Sequence, residues 1–242
     1  MEKNLTHGSV FKNIVFFSLP YLLSYFLQTL YGMADLFIIG QFASVADTTA
    51  VSVGSQIMHM LTVMIVGLAM GTTVSIANAV GAGDRKRAAQ SIGNTVTLFM
   101  SLSVVLMGLL LLSVRPITAV MATPPQAVAS TVSYLTVCFL GIPFITAYNI
   151  LASVFRGMGD SKSPMYFIAV ACVCNIGLDF LFIGALGLGP VGAALGTTLS
   201  QTVSVALSLC VIVKKRSIGL SKSDFKPKKA VMRRLLSIGL PV

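Results

Sequence analysis

Charged residues are scarce in this sequence, and acidic residues are scarcer still. Of its 242 residues, 10% are Asp, Glu, Lys or Arg, and 7 are acidic, whereas soluble domains carry about 25% charged residues. Hydrophobic residues make up 55% of the chain. This composition excludes an ordinary soluble domain and predicts an integral membrane protein, with the lipid bilayer as its first partner.

Several motifs of enzymes are also missing. The sequence has no G-x-x-x-x-G-K-[ST] loop, so ATP is not a visible source of energy. It has no G-x-S-x-G or H-E-x-x-H motif that would indicate a hydrolase inside the membrane. The four cysteines lie inside apolar runs, at spacings that favour neither a zinc site nor a disulfide framework. We therefore predict neither an enzyme nor a bound cofactor.

Six apolar runs are each long enough to cross a bilayer as a helix, which takes about 20 residues. Short connections between them favour antiparallel neighbours and an all-α six-helix bundle. The predicted spans cover approximately Ile14–Gly40, Val51–Val80, Ala88–Val114, Gln126–Phe155, Pro164–Ala185 and Pro190–Val213.

Basic residues lie in the predicted connections, including Arg115–Pro125 and Arg156–Lys162, which explains the net charge of +10 without a nucleic-acid partner. If the N-terminus is cytoplasmic, all 17 Lys and Arg except Arg115 fall on the cytoplasmic side. The positive-inside rule then predicts a multi-pass protein with both ends in the cytoplasm. The basic segment Lys214–Arg234 is predicted to be a cytoplasmic linker that is attracted to anionic lipid.

The end of the chain repeats a feature of its beginning. Leu235–Val242 opens a new apolar run and resembles Phe16–Tyr21 at the start of the first helix. We expect a second six-helix lobe beyond it, since paired six-helix halves are a known transporter plan; a coincidental Leu-Pro match is the alternative. The predicted organisation is a cytoplasmic N-terminus over 1–13, a six-helix lobe over 14–213, a linker over 214–234 and the start of helix seven over 235–242.

Only two acidic residues, Asp35 and Asp179, lie within the predicted spans. An Asp at the centre of a membrane helix costs about 2.5–3.5 kcal/mol on insertion scales, so such residues usually face a cavity and mark an ion or substrate path. Asn175 precedes Asp179 by one helical turn and shares its face. A structural carboxyl that joins two helices is the alternative interpretation.

Several oxygen-bearing side chains on different predicted helices lie at a similar depth in the membrane. With a rise of about 1.5 Å per residue, Asp35, Asp179 and Thr197 lie about 7–10 Å from the outer ends of their helices. Tyr134 lies about 12 Å from the same side. Carboxylates, an amide oxygen and a hydroxyl form the kind of set that hard cations prefer, and two buried carboxyls can instead hold a proton. For the hydroxyls, helix–helix hydrogen bonding is the alternative.

The first predicted helix combines a polar face with a proline. Ser24, Gln28, Tyr31 and Asp35 follow helical spacing and share this face. Pro20 removes a backbone hydrogen bond just before the polar stripe, so a kink is expected there. The kink either stays fixed or lets the helix bend and straighten.

A set of motifs, in order along the chain, resembles those of multidrug and toxic compound extrusion (MATE) transporters of the bacterial NorM and DinF types. The family has twelve helices in two lobes, so the resemblance implies that this chain supplies the N-terminal lobe and the first residues of helix seven. The motifs are Ser18–Pro20 followed by Leu30–Gly40, Gly71–Gly83, Phe155–Asp160, Asn175–Asp179 and Gly189–Gln201.

The resemblance implies export of organic, often cationic, drugs or metabolites across the bacterial inner membrane by antiport with Na+ or H+. The implied partners are a small organic substrate and the missing C-terminal lobe, and Pro20 is the implied hinge. The residues expected to bind the cation or proton are Asp35, Asn175, Asp179 and Thr197. The residues expected beside this cluster or in the substrate cleft are Gln28, Tyr134 and Asn149.

Three other functions stay open at this stage. A lipid-linked oligosaccharide flippase of the same superfamily often carries several basic residues within its spans, and the predicted spans place none in their middle. A six-helix channel would conduct ions without exchange and would need no second lobe. A truncated half would be inactive, since alternating access requires two lobes.

Overall fold

The computed structural model describes residues 9–215 and 221–240, and this part of the chain consists of helices and short connections, without strands. The all-α membrane fold predicted from the sequence is confirmed. The helices are α1 (Val10–Phe42), α2 (Val45–Gly81), α3 (Arg85–Val120), α4 (Val128–Leu140), α5 (Ile142–Gly157), α6 (Lys162–Asp179), α7 (Gly189–Lys215) and α8 (Lys229–Gly239). Two 3₁₀ turns, Pro125–Ala127 and Lys222–Phe225, and a π-helical segment, Phe180–Ala185, connect or extend them.

The fourth predicted span is broken in the middle. Among residues 9–215 and 221–240, five helices are each long and apolar enough to cross a membrane, and α4 and α5, which meet at an angle of 48°, are together long and apolar enough for a sixth span. The break lies at Gly141, next to Pro143 in the first turn of α5. Proline has no backbone N–H and its ring displaces the preceding turn, so the span predicted over Gln126–Phe155 is divided into two helices at this point.

Two basic residues predicted to lie in connections lie in helices instead. The α3 helix continues through Arg115 and Pro116 to Val120, because the fixed φ of proline fits a helix even though one hydrogen bond is lost. The α5 helix continues through Arg156 to Gly157. A cation in the last turn interacts favourably with the negative end of the helix dipole, which stabilises this extension.

The segment predicted as a linker is partly helical. Lys222–Phe225 forms a turn that Ser221 and Asp224 close with a capping box, and α8 begins at Lys229 rather than at the predicted Leu235. Three predicted features extend outside the described residues: positions 1–8 of the N-terminus, positions 216–220 of the linker, and Pro241 with Val242 at the start of helix seven.

One buried amide fastens this segment to α3. Asn94 is completely buried, and its Nδ2 donates to the Asp224 carbonyl at 3.1 Å while its Oδ1 accepts from the Lys228 N–H at 2.7 Å. The Thr97 hydroxyl donates to the Phe225 carbonyl at 2.8 Å. A Cβ at Gly93 would collide with the backbone of Asp224. The start of α8 is therefore held by backbone-specific contacts.

We expect Asn94→Leu to lower the thermal unfolding midpoint of the chain in detergent and to speed proteolysis at residues 222–228. The substitution leaves the Asp224 carbonyl and the Lys228 N–H without their partner, at a cost of about 1–3 kcal/mol for each buried group. The matched control is Asn78→Leu, at an exposed position of α2. Equal shifts in the two variants would contradict a fastening role for Asn94.

The largest hydrophobic cluster sits around the C-terminal part of α1. Ile38 and Ile39 of α1 pack with Leu135 and Phe139 of α4, and Ala193 of α7 completes the contact. All of these side chains are fully or almost fully buried. This packing fixes the end of α1 against α4 and α7, and so places Asp35, one turn earlier on α1, beside both helices.

Candidate functional site

The four residues predicted to bind a cation or proton come together between α1, α6 and α7. The Thr197 hydroxyl donates to Asp35 Oδ2 at 3.1 Å. The Asp35 carboxyl also lies beside the side chains of Asn175 and Asp179. Asp35 is 5% exposed, and Asn175 and Asp179 are completely buried, so two carboxyl groups share a site that excludes bulk water.

Several polar atoms of this cluster have no hydrogen-bond partner among the described residues. They are Oδ1 of Asp35, both carboxyl oxygens of Asp179, and both Oδ1 and Nδ2 of Asn175. A buried polar atom without a partner costs about 1–3 kcal/mol, and more when it is charged. Two neighbouring carboxylates cannot both stay ionised in such a site without a cation or a proton. The arrangement is therefore suited to bind one of these.

The donor atoms fit a hard cation. Carboxylate and amide oxygens with free lone pairs are the ligands that hard cations take in proteins, and Asp35, Asn175 and Asp179 supply them. No group of three or more His, Cys, Asp or Glu side chains that could bind a metal ion occurs in residues 9–215 and 221–240. Asp35, Asn175 and Asp179 are therefore the residues that would hold a cation at this position.

A glycine lets α7 approach the acidic cluster. A Cβ at Gly196 would collide with Asp179 Oδ1 and would lie 3.6 Å from Asn175 Nδ2. At the preceding turn, a Cβ at Gly192 would come within 3.0 Å of Phe182. The sequence pattern Gly192-x-x-x-Gly196 indicates close helix packing. In the structure, the space left by the missing side chain of Gly196 is occupied by the carboxyl group of Asp179.

A cavity of about 550 Å³ extends from the cluster between α1, α2, α4, α5 and α7. Asp35 and Thr197 line it, together with all three residues predicted for the substrate cleft, Gln28, Tyr134 and Asn149. Asn175 and Asp179 are not among its lining residues. The cluster therefore has a side open to the cavity and a side that is sealed behind it.

Comparison with known proteins decides the family. A family model described as MatE matches residues 20–181, about two thirds of the chain. This chain belongs to the MatE family. Members of this MATE family are membrane transporters, so the prediction that the protein is not an enzyme is confirmed.

The similar proteins are about twice as long as this chain. It is 31% identical to the probable multidrug resistance protein YpnP of Bacillus subtilis, over 98% of this chain and 53% of YpnP. It is likewise 31% identical to the probable multidrug resistance protein NorM of Thermotoga maritima, over 95% of this chain and 50% of NorM. A crystal structure of MATE in the bent conformation superposes with a TM-score of 0.90 at 28% identity, covering 97% of this chain and 52% of the other.

In this MatE-family chain, two polar residues that were given no role from the sequence also reach the cavity. Gln201 Nε2 donates to the Tyr31 hydroxyl at 3.2 Å, and Gln201 Oε1 is buried without a partner among the described residues. Both residues line the cavity. The helical spacing Thr197, Gln201, Ser204 on α7 was the available signal.

A cation also lines the cavity of this MatE-family chain, against expectation. Arg156 belongs to the last turn of α5 and contributes to the cavity wall, although the sequence pattern placed it in a connection. Extending the predicted helix to the Gly-Met-Gly turn at 157–159 would have included it. The placement of Arg156 in a connection is therefore wrong, although it still lies at the end of a span and not in its middle.

Pro20 lies within an unbroken helix. The α1 helix runs continuously from Val10 to Phe42, and Pro20 is buried inside it. The Ser24 hydroxyl donates to the Pro20 carbonyl at 2.8 Å. Proline leaves the carbonyl four residues earlier without its helical donor, so α1 has a weakened turn between its N-terminal end and the polar stripe.

Proposed function

We propose that this chain is the N-terminal lobe of a two-lobe secondary transporter that exports organic, often cationic, compounds by antiport with Na+ or H+. The observation that carries the proposal is the buried cluster of Asp35, Asn175, Asp179 and Thr197, with unpaired oxygens, at one end of a cavity large enough for a small molecule. Both chain ends are proposed to be cytoplasmic, in a bacterial inner membrane.

The geometry supports different roles for the residues that face the cavity and for those that lie behind them. Asp35 and Thr197 face the cavity, so they receive the ion or proton first. Asp179 and Asn175 lie behind them and complete the set of oxygens. Binding of a cation or a proton removes the repulsion between the carboxylates of Asp35 and Asp179 and draws α1 towards α6. Release of the cation or proton leaves the side of the cluster that faces the cavity available to the substrate.

The turn at Pro20 gives α1 a place to respond. Asp35 and Pro20 are 15 positions apart on the same continuous helix. A change in the electrostatic force between Asp35 and its partners in the cluster is therefore transmitted along the helix to the turn at Pro20, which lacks one hydrogen bond. We propose that α1 bends there. A second lobe, of the kind that makes the relatives about twice as long, would convert this movement into alternating access.

Transport in everted vesicles tests the proposed function. The chain is joined to a matching second lobe, a fluorescent cationic dye is added outside the vesicles, on the face that was cytoplasmic, and either a Na+ or an H+ gradient is imposed. We expect dye movement with one gradient and its loss when an ionophore collapses that gradient. Ion flux without dye exchange would indicate a channel, and the absence of both, in correctly inserted protein, would refute antiport.

One observation bears on the flippase alternative. A flippase for lipid-linked oligosaccharides is expected to place several basic residues in its cavity, and Arg156 is one such residue. No other Lys or Arg of the described residues lines the cavity. A single cation, in a cavity that Asp35 of the acidic cluster also lines, favours exchange of small organic compounds over transfer of a phosphate-rich lipid headgroup.

A further inference from the structure

The cavity carries opposite charges along its length. Arg156 lies against Tyr21 of α1, with its guanidinium carbon 5.1 Å from the centre of the ring. Asp35 lies 14 residues further along the same helix, which corresponds to about 21 Å. Both Arg156 and Asp35 line the cavity. A compound bound between them meets a cation at one end and a carboxyl at the other.

The contacts of Arg156 orient its side chain without neutralising it. Its Nη2 donates to the Ser153 hydroxyl at 3.0 Å, and Tyr21 stacks on its guanidinium. A guanidinium has five N–H donors in a planar fork, so most of them stay available. Within residues 9–215 and 221–240, its guanidinium contacts Ser153 and Tyr21 and interacts with Tyr148, and none of these partners is a carboxylate.

We propose that Arg156, oriented by Tyr21 and Ser153, is a specificity-determining residue that binds the carboxylate of a transported compound that also carries a cationic aromatic group. The inference rests on the proposed export function. A planar guanidinium matches a carboxylate with two parallel hydrogen bonds. The positively charged, aromatic part of such a compound extends along Gln28 and Asn149 towards the acidic end of the cavity.

A binding assay without any ion gradient tests the inference. The full chain is reconstituted in phosphatidylcholine nanodiscs, and fluorescence anisotropy follows the binding of a xanthene dye that carries one free carboxylate. The methyl ester of the same dye retains the cationic ring system and is the matched probe. We expect Arg156→Gln to lower the ratio of carboxylate to ester affinity by about tenfold, the loss of one charge-assisted interaction.

Two further variants separate recognition from folding. Arg156→Lys keeps the charge and loses the planar fork, so we expect an intermediate ratio. Tyr21→Leu keeps the arginine and removes the ring that orients it, and we expect the ratio to fall by about threefold. A structural role for Arg156 at the helix end would weaken both dyes equally and leave the ratio unchanged, which would overturn the inference.

An anionic phospholipid headgroup is the competing occupant, because its phosphate offers anionic oxygens that no quaternary ammonium of the same headgroup neutralises, unlike the phosphate of phosphatidylcholine. If the effect of Arg156→Gln appears only in nanodiscs that contain phosphatidylglycerol, the headgroup is the ligand and the inference is overturned. The proposed function fails separately. A carboxylate preference with no gradient-driven export would refute antiport but retain the Arg156 site, whereas export without this preference would overturn the site alone.

Discussion

Asp179→Asn is expected to abolish gradient-driven dye export while leaving the fold intact. The carboxyl of Asp179 is completely buried, has no hydrogen-bond partner among the described residues and lies beside Asp35. An amide of the same shape cannot hold a proton and carries no charge for a cation. The loss of one charged ligand lowers affinity for the coupling ion by about tenfold or more.

We expect Asp179→Asn to lose export without losing thermal stability. Removing one of two neighbouring buried carboxylates relieves an uncompensated charge, so we expect its thermal unfolding midpoint, measured without Na+ at neutral pH, to equal or exceed that of the wild type. The wild type should gain stability as Na+ or H+ is added, because a bound ligand stabilises the folded state, and Asp179→Asn should lose most of that gain.

Asp84→Asn is the matched control for the loss of a negative charge. Asp84 is exposed and caps α3 by accepting a hydrogen bond from the Arg87 N–H at 2.9 Å, and Asn caps a helix about as well as Asp. This variant should export the dye at the wild-type rate. Equal export by Asp179→Asn and the wild type would instead assign Asp179 to helix packing.

Gly196→Ala is expected to damage the cluster without altering any of its polar groups. The added methyl would collide with Asp179 Oδ1, and α7 would have to move away or the carboxylate would have to rotate. Overpacking of this kind typically costs about 1–3 kcal/mol. We therefore expect a lower unfolding midpoint, a loss of ion-dependent stabilisation and a strong loss of export.

The neighbouring helix offers a matched glycine for this test. Gly177 of α6 has no atom within 4 Å of an added Cβ, so Gly177→Ala should leave export unchanged and raise helix stability by up to about 1 kcal/mol. In the double variant Gly196→Ala with Asp179→Ala, the methyl no longer meets a carboxylate. If the double variant is no more stable than Gly196→Ala alone, the collision does not explain the defect.

The spans were largely predictable because each one is a local property. A helix inside a bilayer satisfies its backbone within a single segment, so apolar length and the scarcity of charge were sufficient to find the helices. Their ends were less predictable. Arg115 and Arg156 were placed in connections because charged residues usually lie outside the bilayer. Both lie in helices that continue beyond the end of the apolar run.

The composition of the acidic cluster followed from the same reasoning, but its assembly did not. Asp35 and Asp179 were identified because each is costly within a predicted span, and their depths suggested one level in the membrane. Whether α1, α6 and α7 turn these faces towards each other depends on helix rotation and packing. The break at Gly141 and the close approach at Gly196 involve contacts between residues far apart in the sequence.

The sequence by itself determined a helical membrane protein, its approximate spans and the identity of the costly polar residues, since these depend on the transfer of individual residues into lipid. Only the tertiary structure decided that Asp179 lies behind Asp35, that Asn94 fastens the segment before α8, and that Arg156 faces the cavity. These relations arise from side chains on different helices, and no local pattern in one helix encodes the rotation of its neighbour.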